Sequence, residues 1–174
     1  NGQVSLMLCD LGDQKSIQTF CRQFRARYDS LDVLVNNAGV YMADKQLTVD
    51  GYEMTFAVNH MGYFLIARGL MPMLEAAPRA RIINVSSMGH RLGRLNLEDL
   101  QYERRTYRAL PAYCVSKLLN ILFTRKLADR LKDTKVTVNC LHPGSIRSGF
   151  AVNEGDAFGN LVRWVGFALA SPER

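Results

Sequence analysis

The sequence predicts an α/β fold, a parallel sheet with helices on both faces. Two observations lead there. Short, nearly continuous apolar runs alternate with longer stretches of helical spacing, as expected of strands buried on both sides and joined by crossover helices. Each apolar run also ends in polar or glycine residues, which gathers such residues along one edge of the sheet, where ligands bind in folds of this class. The 174 residues suit one domain with a real core. No internal repeat and no linker rich in Pro, Gly or Ser divides the chain, so residues 1–174 are read as a single domain.

Gln3 to Cys9 is a mostly apolar run ending in Asp10 and reads as the first strand. Asp13 can cap the helix that follows, on which Ile17, Phe20, Cys21 and Phe24 recur at helical spacing. Leu31 to Val35 is apolar and partly β-branched and closes in Asn36-Asn37-Ala38-Gly39, a buried strand running into a turn. Thr48 to Leu74 reads as helix, with Pro72 near its end. Arg81 to Val85 is a strand ending in Ser86-Ser87. Leu110 to Leu131 is the strongest helix, with an apolar face of Leu118, Leu119, Leu122, Leu127 and Leu131. Val136 to Leu141 is a strand ending in His142-Pro143-Gly144, and a last helix is expected from Ala157 to Ala170.

Apolar residues make up 48% and charged residues 22%, the balance of a globular protein and not of a disordered or low-complexity one. A membrane span needs roughly 20 apolar residues; the nearest approach, Phe64 to Leu74, is interrupted by Arg68. No signal peptide opens the chain, and Asn1 is not an initiator methionine, so the chain is expected to derive from something longer. Lys+Arg 22 against Asp+Glu 16 leaves +6. That excess suits an anionic cofactor, a phospholipid surface or nucleic acid. The basic residues are dispersed, however, as on a solvated surface, and no nucleic-acid partner is expected. Cys9, Cys21, Cys114 and Cys140 show no C-x-x-C, and three of the four sit in apolar runs. Reduced core thiols imply an intracellular chain, cytoplasmic or on a cytosol-facing membrane.

Several chemistries are absent. His60, His90 and His142 are isolated from one another and from cysteine partners, so no metal site is expected. There is no G-x-S-x-G elbow. Gly144 and Gly149 stand at P-loop spacing but lead into Phe150-Ala151, not Lys-Ser/Thr. No two of the 13 glycines are separated by a single residue, so a G-x-G phosphate turn is missing.

One arrangement does carry chemistry. Tyr113-Cys114-Val115-Ser116-Lys117 sets a phenol and an ammonium at i and i+4, one turn apart on one helix face. A neighbouring lysine favours the phenolate and lowers the phenol pKa toward the working range, and such a tyrosine can move a proton to or from an alcohol oxygen. Alone the pair is a weak signal. It is joined, in order, by Asn36-Asn37-Ala38-Gly39 after one strand, Asn59 in a helix, Ser87 closing the next strand and Pro143-Gly144 closing the last.

In this order of residues the chain resembles the short-chain dehydrogenase/reductase family. Locally it is similar to the retinol dehydrogenase branch, through Val58-Asn59-His60-Met61-Gly62-Tyr63-Phe64, Asn84-Val85-Ser86-Ser87, Ala112 to Lys117 and His142-Pro143-Gly144. The 26-residue interval from Ser87 to Tyr113, with Leu97-Glu98-Asp99-Leu100 inside it, also fits that branch. The resemblance implies a Rossmann-like doubly wound parallel sheet, here truncated at both ends and beginning at the family's third strand. It implies an oxidoreductase that interconverts an alcohol and a carbonyl by hydride transfer with NAD or NADP. Tyr113 would be the proton donor or acceptor, Lys117 would hold the nicotinamide ribose, and Ser87, not Ser86, would bond the substrate oxygen. Asn59 would distort its helix and hold a relay water. Asp10 would meet the adenine amino group; Asn36, Ala38 and Gly39 would shape the ribose side; and Pro143, Gly144 and Ile146 would contact the nicotinamide, with Ser148 close behind.

Each of these positions also has a plain structural use. Asn36 and Asn37 suit a turn, Ser86 and Ser87 can cap a strand end, and Asn59 can satisfy backbone. Asp10 can close a turn, and Pro143-Gly144 can stop a strand. His60 and His142 read as packing or surface residues. Phe158, Leu161, Val162, Trp164, Val165, Phe167 and Leu169 could form a lid over a lipophilic alcohol or carbonyl, retinoid- or steroid-like, or could equally be a packing helix or a membrane contact. Membrane association of the protein and homo-oligomerisation stay open. The family's opening strand and glycine-rich pyrophosphate turn are not in this sequence. The 174 residues alone are therefore expected to bind NAD(P) poorly and to be inactive. The competing reading is a non-catalytic binding or regulatory isoform of the same fold.

Overall fold

A computed structural model describes residues 3–144. Within them three parallel strands lie in the order β1-β2-β3, with β1 Val33–Asn36, β2 Ala80–Val85 and β3 Val136–Leu141. Helix α1, Gln14–Arg27, precedes β1, and its Asp13 cap accepts from the Lys15 amide as the sequence predicts. Between β1 and β2 runs one helical rod: α2 Met54–Phe56, a π-helical turn Ala57–Met61, and α3 Gly62–Ala76. Helix α4, Ala109–Arg130, joins β2 to β3 and keeps Pro111 in its first turn, where a missing amide costs nothing. The expected last helix, Ala157 to Ala170, lies outside the described residues.

Two elements differ from expectation. Gln3 to Cys9 forms no strand: the run pairs with none of the three described strands, and Val4, Leu6 and Leu8 are 97%, 85% and 83% exposed. The rod also begins at Met54, not Thr48. Residues 48–51 close a turn through Gly51 N–H to Thr48 O, with Gly51 at φ +80°, and the Glu53 carboxylate then caps the helix by accepting from the Thr55 and Phe56 amides.

The register shows how the sheet is covered. Leu34, Ile82 and Val138 are lateral partners in one apolar row. Leu74 and Met71 of α3 and Leu127, Ala128 and Leu131 at the end of α4 close over it in one core cluster. Both helices thus occupy the same face. On the other face Val33, Val35, Arg81, Thr137 and Asn139 are exposed, and no helix among the described residues covers them. Helix α1 packs on α3, not on the sheet. It comes close enough that a Cβ at Gly69 would stand 2.6 Å from the Cys21 sulfur.

One step further along the strands the covered row turns polar, to Asn36, Asn84 and Cys140. Asn36 Nδ2 donates to Asn84 Oδ1 at 2.8 Å and Asn84 Nδ2 donates to Thr124 Oγ1 at 2.9 Å. Amide side chains buried to 4% and 0% exposure persist because each has a partner. This polar row marks the end of the sheet at which the strands run out into the candidate site.

Candidate active site

Helix α4 enters the core with Ala112 to Lys117 all buried. Tyr113, Lys117, Asn120 and Thr124 fall at i, i+4, i+7 and i+11, so one stripe of polar side chains faces the ends of β2 and β3. Tyr113 is 7% exposed and Lys117 3%. The Tyr113 phenol hydrogen-bonds the Ser87 side chain just beyond β2. Ser86 is committed elsewhere, its hydroxyl donating to the Lys117 carbonyl at 2.8 Å. The serine beside the phenol is therefore Ser87.

The electrostatics depart from the simple lysine–phenolate picture. Burial raises the Tyr113 pKa above its ordinary 10, opposed by the Ser87 bond. Lys117 Nζ donates to the Val85 carbonyl at 3.2 Å and lies 5.7 Å from the Tyr113 ring centroid. Burial lowers its own pKa from 10.5 to about 8. At neutral pH the phenol is thus neutral and carries a proton it can give.

Asn59 is fully buried inside the π-helical turn. A wider i→i+5 turn is a common device at functional sites. Here the Asn59 side chain clamps the loop after β1: Oδ1 accepts from the Val40 amide at 2.7 Å, and Nδ2 donates to Val40 O at 2.9 Å and Ser116 Oγ at 3.1 Å. Its backbone carbonyl accepts from Asn120 Nδ2 at 2.9 Å. Asn120 Nδ2 also lies 3.4 Å from Val85 O, the same carbonyl that takes Lys117. His60 Nδ1 meets Asn120 Oδ1 at 3.1 Å, so that nitrogen is the donor; burial lowers its pKa and keeps the ring neutral.

Of the residues assigned toward a cofactor, Asn36 is buried in the amide ladder, while Ala38 is exposed and Gly39 half-buried at the mouth. The Ala38 carbonyl accepts from the Tyr63 hydroxyl at 2.9 Å. Gly39 sits close to the site, since a Cβ there would stand 3.1 Å from Asn59 Oδ1, a tight contact, and 3.4 Å from Lys117 Nζ. Asp10 is exposed and closes a turn before α1, its Oδ1 accepting from Gly12 N–H at 2.8 Å. Pro143 and Gly144 follow β3, with Gly144 at φ +77°. Ile146 and Ser148 lie outside the described residues. What a nicotinamide ribose would need is in part present: a glycine without a side chain at position 39, and the buried Lys117 ammonium beside it. The residues of this chain offer no glycine-rich turn for a pyrophosphate.

The segment behind Ser87 is fastened around Asp99. Its carboxylate accepts from the amides of Glu103, Arg104 and Arg105 and from the Arg105 guanidinium at 3.0 Å. The Arg105 guanidinium stacks 4.4 Å over Tyr102, and Tyr107 donates to Met42 O at 3.0 Å. Two residues of the site, Asn120 and Tyr63, escape a motif-based reading. Asn120 could have been found from its spacing to Tyr113 and Lys117 on one polar stripe of α4; Tyr63 reads as core.

The model of the family described as short chain dehydrogenase matches residues 1–157. Retinol dehydrogenase 11 of Homo sapiens is 48% identical, with 100% of this chain and 54% of that protein aligned. Retinol dehydrogenase 12 of Homo sapiens is 47% identical, over 85% of this chain and 46% of that protein. The chain spans about half the length of the curated relatives it matches. Among solved structures, an uncharacterised protein from Mycobacterium paratuberculosis superposes with a TM-score of 0.75 at 35% identity, covering 95% of this chain and 56% of that one. The RhlG/NADP active-site complex of Pseudomonas aeruginosa gives a TM-score of 0.61 at 26% identity, covering 79% and 52%.

Proposed function

The chain belongs to the short-chain dehydrogenase family, and on that premise we propose that it supplies the proton-transfer part of an NAD(P)-dependent oxidoreductase. The substrate is a lipophilic alcohol or its carbonyl, retinoid- or steroid-like, a class suggested by relatives named retinol dehydrogenases at 44–48% identity. One observation carries the reading: a buried, neutral Tyr113 phenol bonded to Ser87, with Lys117 one turn behind it. NADP-bound neighbours at 26% identity support the cofactor.

When bound, the nicotinamide supplies or accepts the hydride. The residues of the chain do the rest. In this reading the Ser87 and Tyr113 hydroxyls both donate to the substrate oxygen. In reduction, the Tyr113 phenol gives its proton to that oxygen as negative charge develops there. Lys117, beside Gly39, is placed to hold the ribose hydroxyls, and its positive charge stabilises the phenolate left behind. Asn59 fixes the loop after β1 and so the cleft wall. Asp10, Pro143, Gly144 and Ile146 complete the cofactor contacts in this reading.

The test uses the full gene product. Tyr113→Phe keeps the ring but cannot exchange a proton, so turnover of retinol and retinal should fall by about 10² or more, while NADH or NADPH still binds by fluorescence titration. Turnover within tenfold of wild type would remove Tyr113 from the chemistry. Cofactor binding without turnover in the wild type would favour the non-catalytic reading.

A further inference from the structure

Lys117 is short of partners for a buried cation. An ammonium has three donors, and at 3% exposure only the bond to the Val85 carbonyl is made to a described residue. Besides the Cys140 thiol, the groups that face the charge are two aromatic rings. Nζ lies 5.8 Å from the Tyr63 ring centroid and 5.7 Å from that of Tyr113, both within the range at which a cation is drawn to a ring face. Tyr63 is 1% exposed, so this contact is desolvated, where the attraction is strongest. Its hydroxyl is tied down by the Ala38 carbonyl at 2.9 Å, and Ala38 belongs to the turn whose Gly39 backs onto Lys117 Nζ.

We propose that Tyr63 is a positioning residue for the ribose subsite: its ring face and that of Tyr113 hold the Lys117 ammonium between them, and its hydroxyl fixes the Ala38–Gly39 wall opposite. This rests on the assignment of Lys117 to the cofactor ribose. The two rings take the place of hydrogen-bond acceptors, so Nζ keeps its remaining protons for a ligand. A carboxylate at the same place would neutralise the charge and bind those protons.

The test separates ring face from hydroxyl at nearly constant shape. In the full gene product, Tyr63→Phe removes the Ala38 bond and keeps the face; Tyr63→pentafluorophenylalanine keeps the size and reverses the ring's charge distribution. Lys117 is reductively methylated with ¹³C-formaldehyde and its titration followed by NMR in the cofactor-free protein, with Lys117→Arg identifying the signal. NADPH and NADH affinities are measured alongside. The Phe variant should leave the Lys117 titration where it is in wild type. The fluorinated variant should lower it further and weaken cofactor binding about tenfold relative to Phe, with kcat at saturation less affected. Equal titration and equal affinity in the two variants would overturn the proposal. The NMR readout needs no cofactor. If the nucleotide fails to bind wild type, the functional assignment falls while the ring contact is still judged.

Discussion

Replacing Lys117 with methionine should remove a pH-dependent part of the protein's stability. Burial lowers the Lys117 pKa from 10.5 to about 8 in the folded chain. Below pH 8 both folded and unfolded states carry the proton, and the cost of burying the charge is constant. Between the two pKa values the unfolded state binds more protons than the folded one, so stability rises with pH; above 10.5 the rise is complete. From pH 7 to 9.5 that single group should add about 2 kcal/mol. Cys9, Tyr63 and Tyr107 are all raised by burial and act in the opposite sense, losing stability as pH climbs through their folded values. They are common to wild type and variant and cancel in the difference, which reports Lys117 together with its coupling to Cys140. The assay is urea unfolding of the cofactor-free full gene product at both pH values. Parallel curves, with wild type and Lys117→Met changing equally, would mean that the ammonium is solvated and titrates at its ordinary value, and the argument from burial would fail.

Two further substitutions probe the walls of the site. Gly39→Ala forces a methyl to 3.1 Å from Asn59 Oδ1, an overpacking worth about 1–3 kcal/mol; cofactor KM should rise about tenfold or more, and an unchanged KM would show that the loop yields freely. Asn120→Leu leaves the buried Asn59 carbonyl without its side-chain donor and should cost about 1–3 kcal/mol in urea unfolding. A loss under about 0.5 kcal/mol, the scale of an ordinary surface change, would mean that the π-helical turn satisfies that carbonyl by itself.

How far the sequence reached depends on how local the deciding physics is. β3 has the predicted limits, Val136–Leu141, because an apolar β-branched run bounded by Lys135 and His142-Pro143 leaves little choice. Asp13 caps α1 through its own side chain, a contact of two residues. Gln3–Cys9 has the composition of a strand but pairs with none of the described strands, and pairing is not written in composition. The packing of α3 and α4 on one face likewise depends on connections that no stretch of sequence displays. In the site, Tyr113, Lys117, Ser87 and Asn59 are visible because their types and order are distinctive, and the structure brings them within one end of the sheet. Asp10 closes a turn before α1, a use that its position after an apolar run also allowed. The orientation of Lys117, toward a carbonyl and two rings, is a packing outcome that the i, i+4 spacing could not reveal.

The strand register has a consequence for synthesis. Val33 pairs with Arg81 and Ala80 with Val136, so among the described strands β1 meets β2 after 48 residues and β2 meets its second partner after a further 56. A ribosome working at roughly 5–20 residues per second needs roughly 2–10 s to deliver the first of these partners. During that pause β1 has no partner among the described strands, and Val33 and Val35 are 45% and 55% exposed with all three described strands in place. Contacts of such sequence separation also place the chain among slow folders, since loop closure is lost before pairing repays it. Expression yield should therefore respond more to elongation rate and to holdase chaperones between residues 33 and 81 than to substitutions within α4. That interval is where translation and folding compete.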